Sequence, residues 1–150
     1  MTEHNFYDLD ARVHMPSLYD STVADAALDA YLDPDDRIAG GLAFLLCDDD
    51  GRLMQPILVS EVPNPTTDED RWRAMRWAIG LCEMVSDDHN GPLSLVLGLV
   101  REDGAVCDED RAWHQVALDA CAEAGVALIG VHVVTMSGIR ALPDARSAAA

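Results

Sequence analysis

The chain has no lysine, and its 10 basic residues are all arginine. Against them stand 27 acidic residues, for a net charge of −17. That balance argues against direct binding to a nucleic-acid backbone, which depends on Lys and Arg neutralising phosphates. No two cysteines form a C-x-x-C pair: Cys47, Cys82, Cys107 and Cys121 stand singly, three of them inside apolar patterns. Free cysteine in such patterns behaves as a small buried hydrophobe, so reduced thiols in a cytoplasmic setting are the expectation. No apolar run reaches the length of a membrane-spanning helix. The start, Met1-Thr2-Glu3-His4, is polar and has no signal-peptide character. A membrane partner is therefore not expected. The glycines Gly40, Gly41 and Gly98 fit no phosphate loop or dinucleotide fingerprint, and no nucleophile elbow is present. Nothing in these patterns implies a cofactor.

What is present suffices for a core. At 150 residues with 49 % hydrophobic content, the chain can bury one without staples, and one domain is the natural expectation. The lysine-free, Ala- and Asp-rich composition reads as the coding bias of a GC-rich genome, with salt adaptation as the other explanation. The acidity serves solubility. The alternative use is a nucleic-acid mimic that inhibits a DNA-binding protein. That would need Asp and Glu on one face at phosphate-like spacing, whereas here they are scattered along the sequence.

Residues 1–36 form an acidic N-terminal segment, with a short helix over 21–32. Thr22 is its expected cap, and Val23, Ala26, Ala27, Ala30 and Tyr31 share one face at helical spacing. Asp33-Pro34-Asp35-Asp36 ends the helix, since the residue before proline is pushed out of helical geometry. Residues 37–142 carry the alternating pattern of a domain. A continuously apolar strand over 38–47 is followed by the turn Asp48-Asp49-Asp50-Gly51 and a return strand over 52–62. Pro56 removes a ladder donor from that strand and marks it as an edge or bulged strand. Pro63-Asn64-Pro65 breaks it. A long helix then opens with a capping-box pattern, Thr66 with Glu69. Its buried stripe is Trp72, Met75, Ala78, Ile79, Cys82 and Val85. After the loop His89-Asn90-Gly91-Pro92 come a strand over 93–100 and a helix over 108–124. That helix has an inner face of Trp113, Val116, Ala117, Ala120, Cys121 and Ala124. Gly125 caps it. Strands over 127–135 and 139–142 follow, and 143–150 reads as a disordered tail.

The order β-β-α-β-α-β-β predicts an α/β (α+β) fold, a mixed sheet with flanking helices. Within it, the strand ending Val96-Leu97-Gly98-Leu99-Val100, the polar loop 101–106 and the helix opening Cys107-Asp108-Glu109-Asp110 form one continuous frame. This frame resembles the JAB/MPN metalloprotease superfamily, most closely its RadC-like branch. There the strand ends in His-x-His, the loop carries Pro-Ser-Gly and the helix opens on Ser-x-x-Asp. Matched without gaps, the metal histidines fall on Leu97 and Leu99, the metal aspartate on Asp110 and the loop glycine on Gly104. The family's Leu-Gly-Ile before the next strand meets Ala124-Gly125-Val126. The resemblance covers about residues 38–142 and implies a cytidine-deaminase-like core. Members of the superfamily without the metal motif serve as scaffolds for a partner, so it also implies an interaction role.

A hydrolytic zinc needs three protein ligands and an open position for water, and leucines at 97 and 99 supply none. Asp110 has a structural reason to sit in the first turn of a helix, where the dipole favours negative charge. Glu61 alone stands where the family's catalytic glutamate would be. His132 falls one place beyond the family's strand histidine and reads as a core histidine. His4, His14 and His89 lie in weakly patterned segments. His114 follows Asp110 by one turn, so Cys107, Asp110 and His114 form the candidate polar cluster, a thiol with a histidine nearby. Trp77, beside Arg73 and Arg76, lies off the centre of its helix stripe and has the composition of an interface hot spot. The leading expectation is a non-catalytic JAB/MPN-like domain, a protein-interaction or dimerisation module whose partner is another protein or itself. The second is an enzyme with a non-metal site at Cys107, Asp110 and His114. The acidic mimic is the third.

Overall fold

A computed structural model of the chain describes residues 16–60, 66–89 and 93–143. Glu61, the Pro63-Asn64-Pro65 break, loop residues 90–92, His4, His14 and the tail from residue 144 lie outside the described residues. The elements run α1 (Ser21–Tyr31), α2 (Pro34–Ala39), β1 (Gly41–Cys47), β2 (Leu53–Val59), α3 (Asp68–His89), β3 (Ser94–Val100), α4 (Asp108–Ala124), β4 (Ala127–Thr135) and β5 (Gly138–Ala141).

Two strands that are apolar at nearly every position set the architecture. β1 is buried from Leu42 onward and β3 along its whole length. Such strands need cover on both faces. They are antiparallel neighbours at the centre of a five-stranded mixed sheet ordered β2-β1-β3-β4-β5. β2 runs antiparallel to β1, β4 parallel to β3, and β5 antiparallel to β4. The result is the α+β class expected from the order of elements, with helices flanking a mixed sheet.

α3 and α4 cover one face. Met75, Ala78, Ile79 and Cys82 of α3 pack with Trp113, Val116, Ala117, Ala120 and Cys121 of α4 on Leu42, Phe44, Leu46, Leu95, Leu97 and Leu99. Both helices show the stripe their periodicity predicts, except that Ala124 is exposed at the end of α4. The capping box of α3 sits one residue later than expected. Thr67 Oγ1 accepts from the Asp70 N–H at 3.1 Å, and Asp70 Oδ2 accepts from the Thr67 N–H at 3.0 Å. The sequence offers two overlapping frames of the same pattern. In the structure the Thr66 carbonyl is engaged by Arg71, whose other contacts reach Asp68 and, across to α4, Glu109.

α1 covers the opposite face. Leu18, Ala24, Leu28 and Leu32 join Ala43, Leu45, Cys47, Val96, Val100 and Val134 in a second core layer. The helix is rotated from its expected face. Ala24 and Leu28 are buried, while Ala26, Ala30 and Tyr31 are exposed. The reason is steric: Leu28, the large aliphatic side chain in mid-helix, seats over Gly98. A Cβ at Gly98 would stand 3.2 Å from both Leu28 Cδ2 and Ala43 Cβ. The N-cap is Asp20, whose carboxylate accepts from the Thr22 N–H at 3.0 Å, and not Thr22 itself. Asp33-Pro34-Asp35-Asp36 does end α1, but it also starts α2. Pro34 occupies the first helical position, where its missing N–H costs nothing, and Asp33 and Asp36 cap each other at 2.9 and 3.2 Å. Arg37 of α2 then donates to Leu32 O at 2.9 Å, to Thr135 O at 3.1 Å and to Asp29 at 2.8 Å. The acidic segment thus contributes a layer of the core.

β2 is an edge strand, as Pro56 predicts, and a bulge between Leu46 and Cys47 shifts its register. Among the described residues no helix is long and apolar enough to cross a membrane. If α1 belongs to the core, Leu28→Ala lowers stability by about 3 kcal/mol in urea unfolding. Gly98→Val, which would push the helix off the sheet, costs about 1–3 kcal/mol. Unchanged midpoints in both variants would show that α1 is only loosely attached.

Candidate functional site

β3 ends where Arg101 leaves the sheet. The Arg101 N–H still bonds Val134 O at 3.0 Å, and the Met136 N–H reaches back to Glu102 O at 2.9 Å, so the loop 101–106 starts beside the end of β4. The loop closes on the first turn of α4. There Asp110, 1 % exposed, accepts the N–H of Cys107 at 2.9 Å and fills the cap role expected of it. Arg101 grips the same carboxylate with both arms, Nη1 to Oδ1 at 2.6 Å and Nη2 to Oδ2 at 2.9 Å. Its remaining donors hold the loop backbone, Nε to Asp103 O at 3.1 Å and Nη2 to Ala105 O at 2.9 Å. Cys107 is exposed and its thiol donates weakly to Asp110 Oδ2 at 3.5 Å.

Burial pushes the Asp110 carboxyl upward, but the Arg101 hydrogen bonds and the Cys107 N–H outweigh it, and the group is held below the usual carboxylate range. Both its oxygens are engaged, and a fixed guanidinium occupies the space a cation would take. The arrangement does the work of a clasp between the loop and α4. Its signal in the sequence is an arginine directly after the strand and nine residues before a capping aspartate.

Leu97 and Leu99 lie on one face, as strand alternation requires, and are 0 % and 5 % exposed among the side chains of α3 and α4. The frame that resembles a metal site is therefore filled at these positions by core packing. His114, one turn after Asp110, is buried and lines a cavity of about 260 Å³ with Val106, Arg111 and Gln115. A larger cavity of about 390 Å³ lies between the loop at 104–106 and the β4–β5 turn, with Thr135, Ser137 and Arg140 on its wall.

His132 does not join this cluster. Its neighbours Val131 and Val133 face α4, so it faces the α1 side. There its Nδ1 lies 3.1 Å from Asp25 Oδ1, at an angle that leaves both atoms without a regular hydrogen bond. No local signal in the sequence pairs these two residues. Burial lowers the imidazole pKa, while Asp25 pulls it the other way. The acidic cluster Asp48, Asp49 and Asp50 has ligand-like spacing, but it serves its turn. Asp48 Oδ1 accepts the N–H groups of Asp50 and Arg52 at 2.9 Å each, and Asp50 pairs with Arg52 at 2.8 Å.

The remaining candidates lie on α3. Trp77 is 48 % exposed and meets the ring of Phe44 edge-on, with centroids 6.0 Å apart and planes at 65°. The two rings belong to a groove of about 340 Å³ along β1 and β2, floored by Leu42, Phe44 and Val59 and walled by Ala74, Trp77 and Arg73. Arg73 pairs with Glu69 at 3.2 Å and Asp70 at 3.4 Å, at the groove rim. Arg76 turns away and stacks over Trp72, 5.0 Å from the ring centroid. Structure thus brings Trp77 and Arg73 together and separates Arg76 from them. No protein-family model, curated protein or solved structure matches the chain.

Two measurements test these assignments. Arg101→Met strands a buried carboxylate and costs about 3 kcal/mol at neutral pH. Because the folded-state pKa of Asp110 is depressed, the clasp's contribution is present above the ordinary carboxylate pKa and is lost as pH falls through the folded value. The gap between wild type and variant in chemical denaturation therefore narrows on acidification. For His132 the unfolded chain binds the extra proton, so the neutral form's contribution is lost as pH falls below about 6.5. Urea midpoints at neutral and mildly acidic pH drop less in His132→Leu than in wild type. Equal drops would remove His132 from the pH response.

Proposed function

We propose that this chain is a non-catalytic, JAB/MPN-like domain that works by binding protein through the Trp77 groove. The order of strands and helices from Gly41 to Ala141 is compatible with that superfamily, and the family frame from Leu97 to Asp110 supports the likeness. At the positions matching its metal ligands stand two core leucines and an aspartate neutralised by Arg101. The Cys107 thiol lies against that same carboxylate. A nucleophilic thiol needs a base that is free to accept its proton; Asp110 is already engaged by Arg101, and the histidine of the second reading, His114, lines the neighbouring cavity with Val106 and Arg111.

The observation that carries the reading is the half-exposed indole of Trp77, packed edge-on against Phe44 above an apolar groove. Tryptophan beside arginine is enriched among residues that dominate binding energy. The Arg73 guanidinium at the rim supplies orientation, while the apolar floor receives an aliphatic or aromatic side chain of the partner, which is a different protein or a second copy.

Trp77→Ser tests this, with Met136→Ser, at an exposed residue away from the groove, as the matched control. Truncating a hot-spot residue costs about 2 kcal/mol or more, a loss of affinity of about 30-fold. Sedimentation equilibrium reads self-association, and cross-linking pull-down with quantitative mass spectrometry reads a different partner. An association kept by Met136→Ser and lost by Trp77→Ser, at equal thermal stability, supports the proposal. Associations indifferent to Trp77, or none at all, overturn it.

A further inference from the structure

α1 carries a carboxylate into its interface with the sheet. Asp25 and Leu28, three residues apart, share the inner face of the helix, and the sheet receives them side by side. Leu28 seats over Gly98 of β3, and Gly98 pairs in register with His132 of β4, which meets Asp25. The His132 side chain is 4 % exposed and that of Asp25 is 42 % exposed. The imidazole thus stands within the second core layer, while the carboxylate stands at its boundary. Nδ1 lies 3.1 Å from Asp25 Oδ1. Nε2 faces Gly130, where a Cβ would be 3.4 Å away.

The rest of the grip on α1 is small. Ala24 and Leu28 are its buried side chains. Its two ends are tied by bonds that do not involve His132. The Leu18 N–H, just before the helix, donates to Gly51 O at 2.8 Å, and Arg37, just after it, donates to Thr135 O at 3.1 Å.

We infer that Asp25 and His132 form a proton-operated latch on α1: a neutral imidazole lets the helix close on the sheet, and protonation of His132 frees its middle turns while both ends stay tied. A neutral ring is accommodated beside Val96, Val100 and Val134, whereas an imidazolium there must give up water. Asp25 is half in water and off the axis of a regular hydrogen bond, so its attraction returns less than burial takes away. Among the described residues, the other charged groups on this side are Asp29 of α1 and Arg37 of α2, paired with each other at 2.8 Å. The neighbouring strands present apolar side chains to the layer, Val96 and Val100 from β3 and Ile139 from β5. Burial accordingly lowers the imidazole pKa, with Asp25 pulling against it. With the folded value below the ordinary one, the latch holds above about pH 6.5 and weakens as pH falls from there toward the folded value. To reach water the charged ring must move α1, since Asp25 and Leu28 cover that part of the sheet. The latch lies on the face opposite α3 and does not rest on the Trp77 reading.

Native-state amide exchange by NMR on the full chain, between about pH 7.5 and 5 and with each rate divided by the free-chain rate at that pH, tests it. The amides of Leu28 and Asp29 are expected to exchange through a local opening that is nearly insensitive to added urea. That opening grows by up to about tenfold per pH unit below about 6.5. β3 amides exchange more slowly at every pH, through an opening that urea promotes. His132→Gln abolishes the growth in α1. Asp25→Asn, at a half-exposed position, keeps the growth and extends it to lower pH, because the imidazolium loses its one attraction. Exchange of α1 and β3 together at every pH overturns the inference, since the helix would then open only with the whole fold. So does an α1 opening that stays constant or shrinks on acidification, which would mean that the charged pair tightens the contact. Loss of the growth in Asp25→Asn also overturns it, by placing the proton on the carboxylate.

Discussion

The demand for cover on both faces of β1 and β3 governs this molecule. A strand that is apolar on alternate positions can leave one side in water; these two cannot. One face is met by α3 and α4, which follow in the chain and bring their stripes to it. The other depends on α1, from the part of the sequence least like a core. Gly98 makes that packing possible, because its missing side chain is the space into which Leu28 fits. Among the described residues of the acidic segment the carboxylates lie mostly at the surface, with Asp25 turned toward His132 as the exception. Its few large aliphatics, Leu18, Leu28 and Leu32, carry the second layer.

Arginine joins the layers. With no lysine in the chain, three of the polar junctions between elements fall to a planar fork that can hold a carboxylate and backbone carbonyls at once. Arg37 ties α1 and α2 to the end of β4, Arg71 ties α3 to α4, and Arg101 ties the loop after β3 to α4. Each is at least partly buried and each bonds at least one main-chain oxygen, so none is merely a surface ion pair, whose contribution would be small. At Arg101 the consequence is chemical as well. A buried carboxylate at a strand–loop–helix junction has either a cation or a hydrogen-bonding fork to neutralise it, and here the fork is built in.

Periodicity revealed most of this, and chemistry at a distance revealed little. The strands over β1, β3 and β4, the inner faces of α3 and α4 and the edge position of β2 follow from patterns within a window of a dozen residues. The misreadings are those a window cannot resolve. Thr66-x-x-Glu69 and Thr67-x-x-Asp70 are equally good capping patterns, and the choice turns on where Arg71 sends its donors. Four small or aromatic residues on α1 outnumber Leu28 in the count, yet burial follows volume and the gap at Gly98. Asp33-Pro34 is a stop and a start in the same letters. Arg101 with Asp110, nine residues apart across one loop, left a local signal, whereas Asp25 with His132 needed the fold, which brings α1 onto β4. For His132 an irregularity early in β4 upsets simple strand parity: Leu128 and Ile129 face opposite ways from what Val131 and Val133 predict, and only beyond it do Val131 and Val133 face α4 while Val134 faces α1.

The two candidate sites differ in how far their own groups satisfy one another. At Asp110 every strong hydrogen-bonding capacity is consumed internally: two oxygens against a bidentate guanidinium and a main-chain N–H, and the guanidinium's other donors against loop carbonyls. A site of that kind has nothing left for a substrate unless the clasp opens, and opening strands a charge in the core. At Trp77 the balance is reversed. The indole has an aromatic partner on one side only, the groove floor is apolar, and water there is easily displaced by a side chain with no polar bonds to replace. Among the described residues the apolar opening lies along β2, and it is on that opening that the binding reading rests.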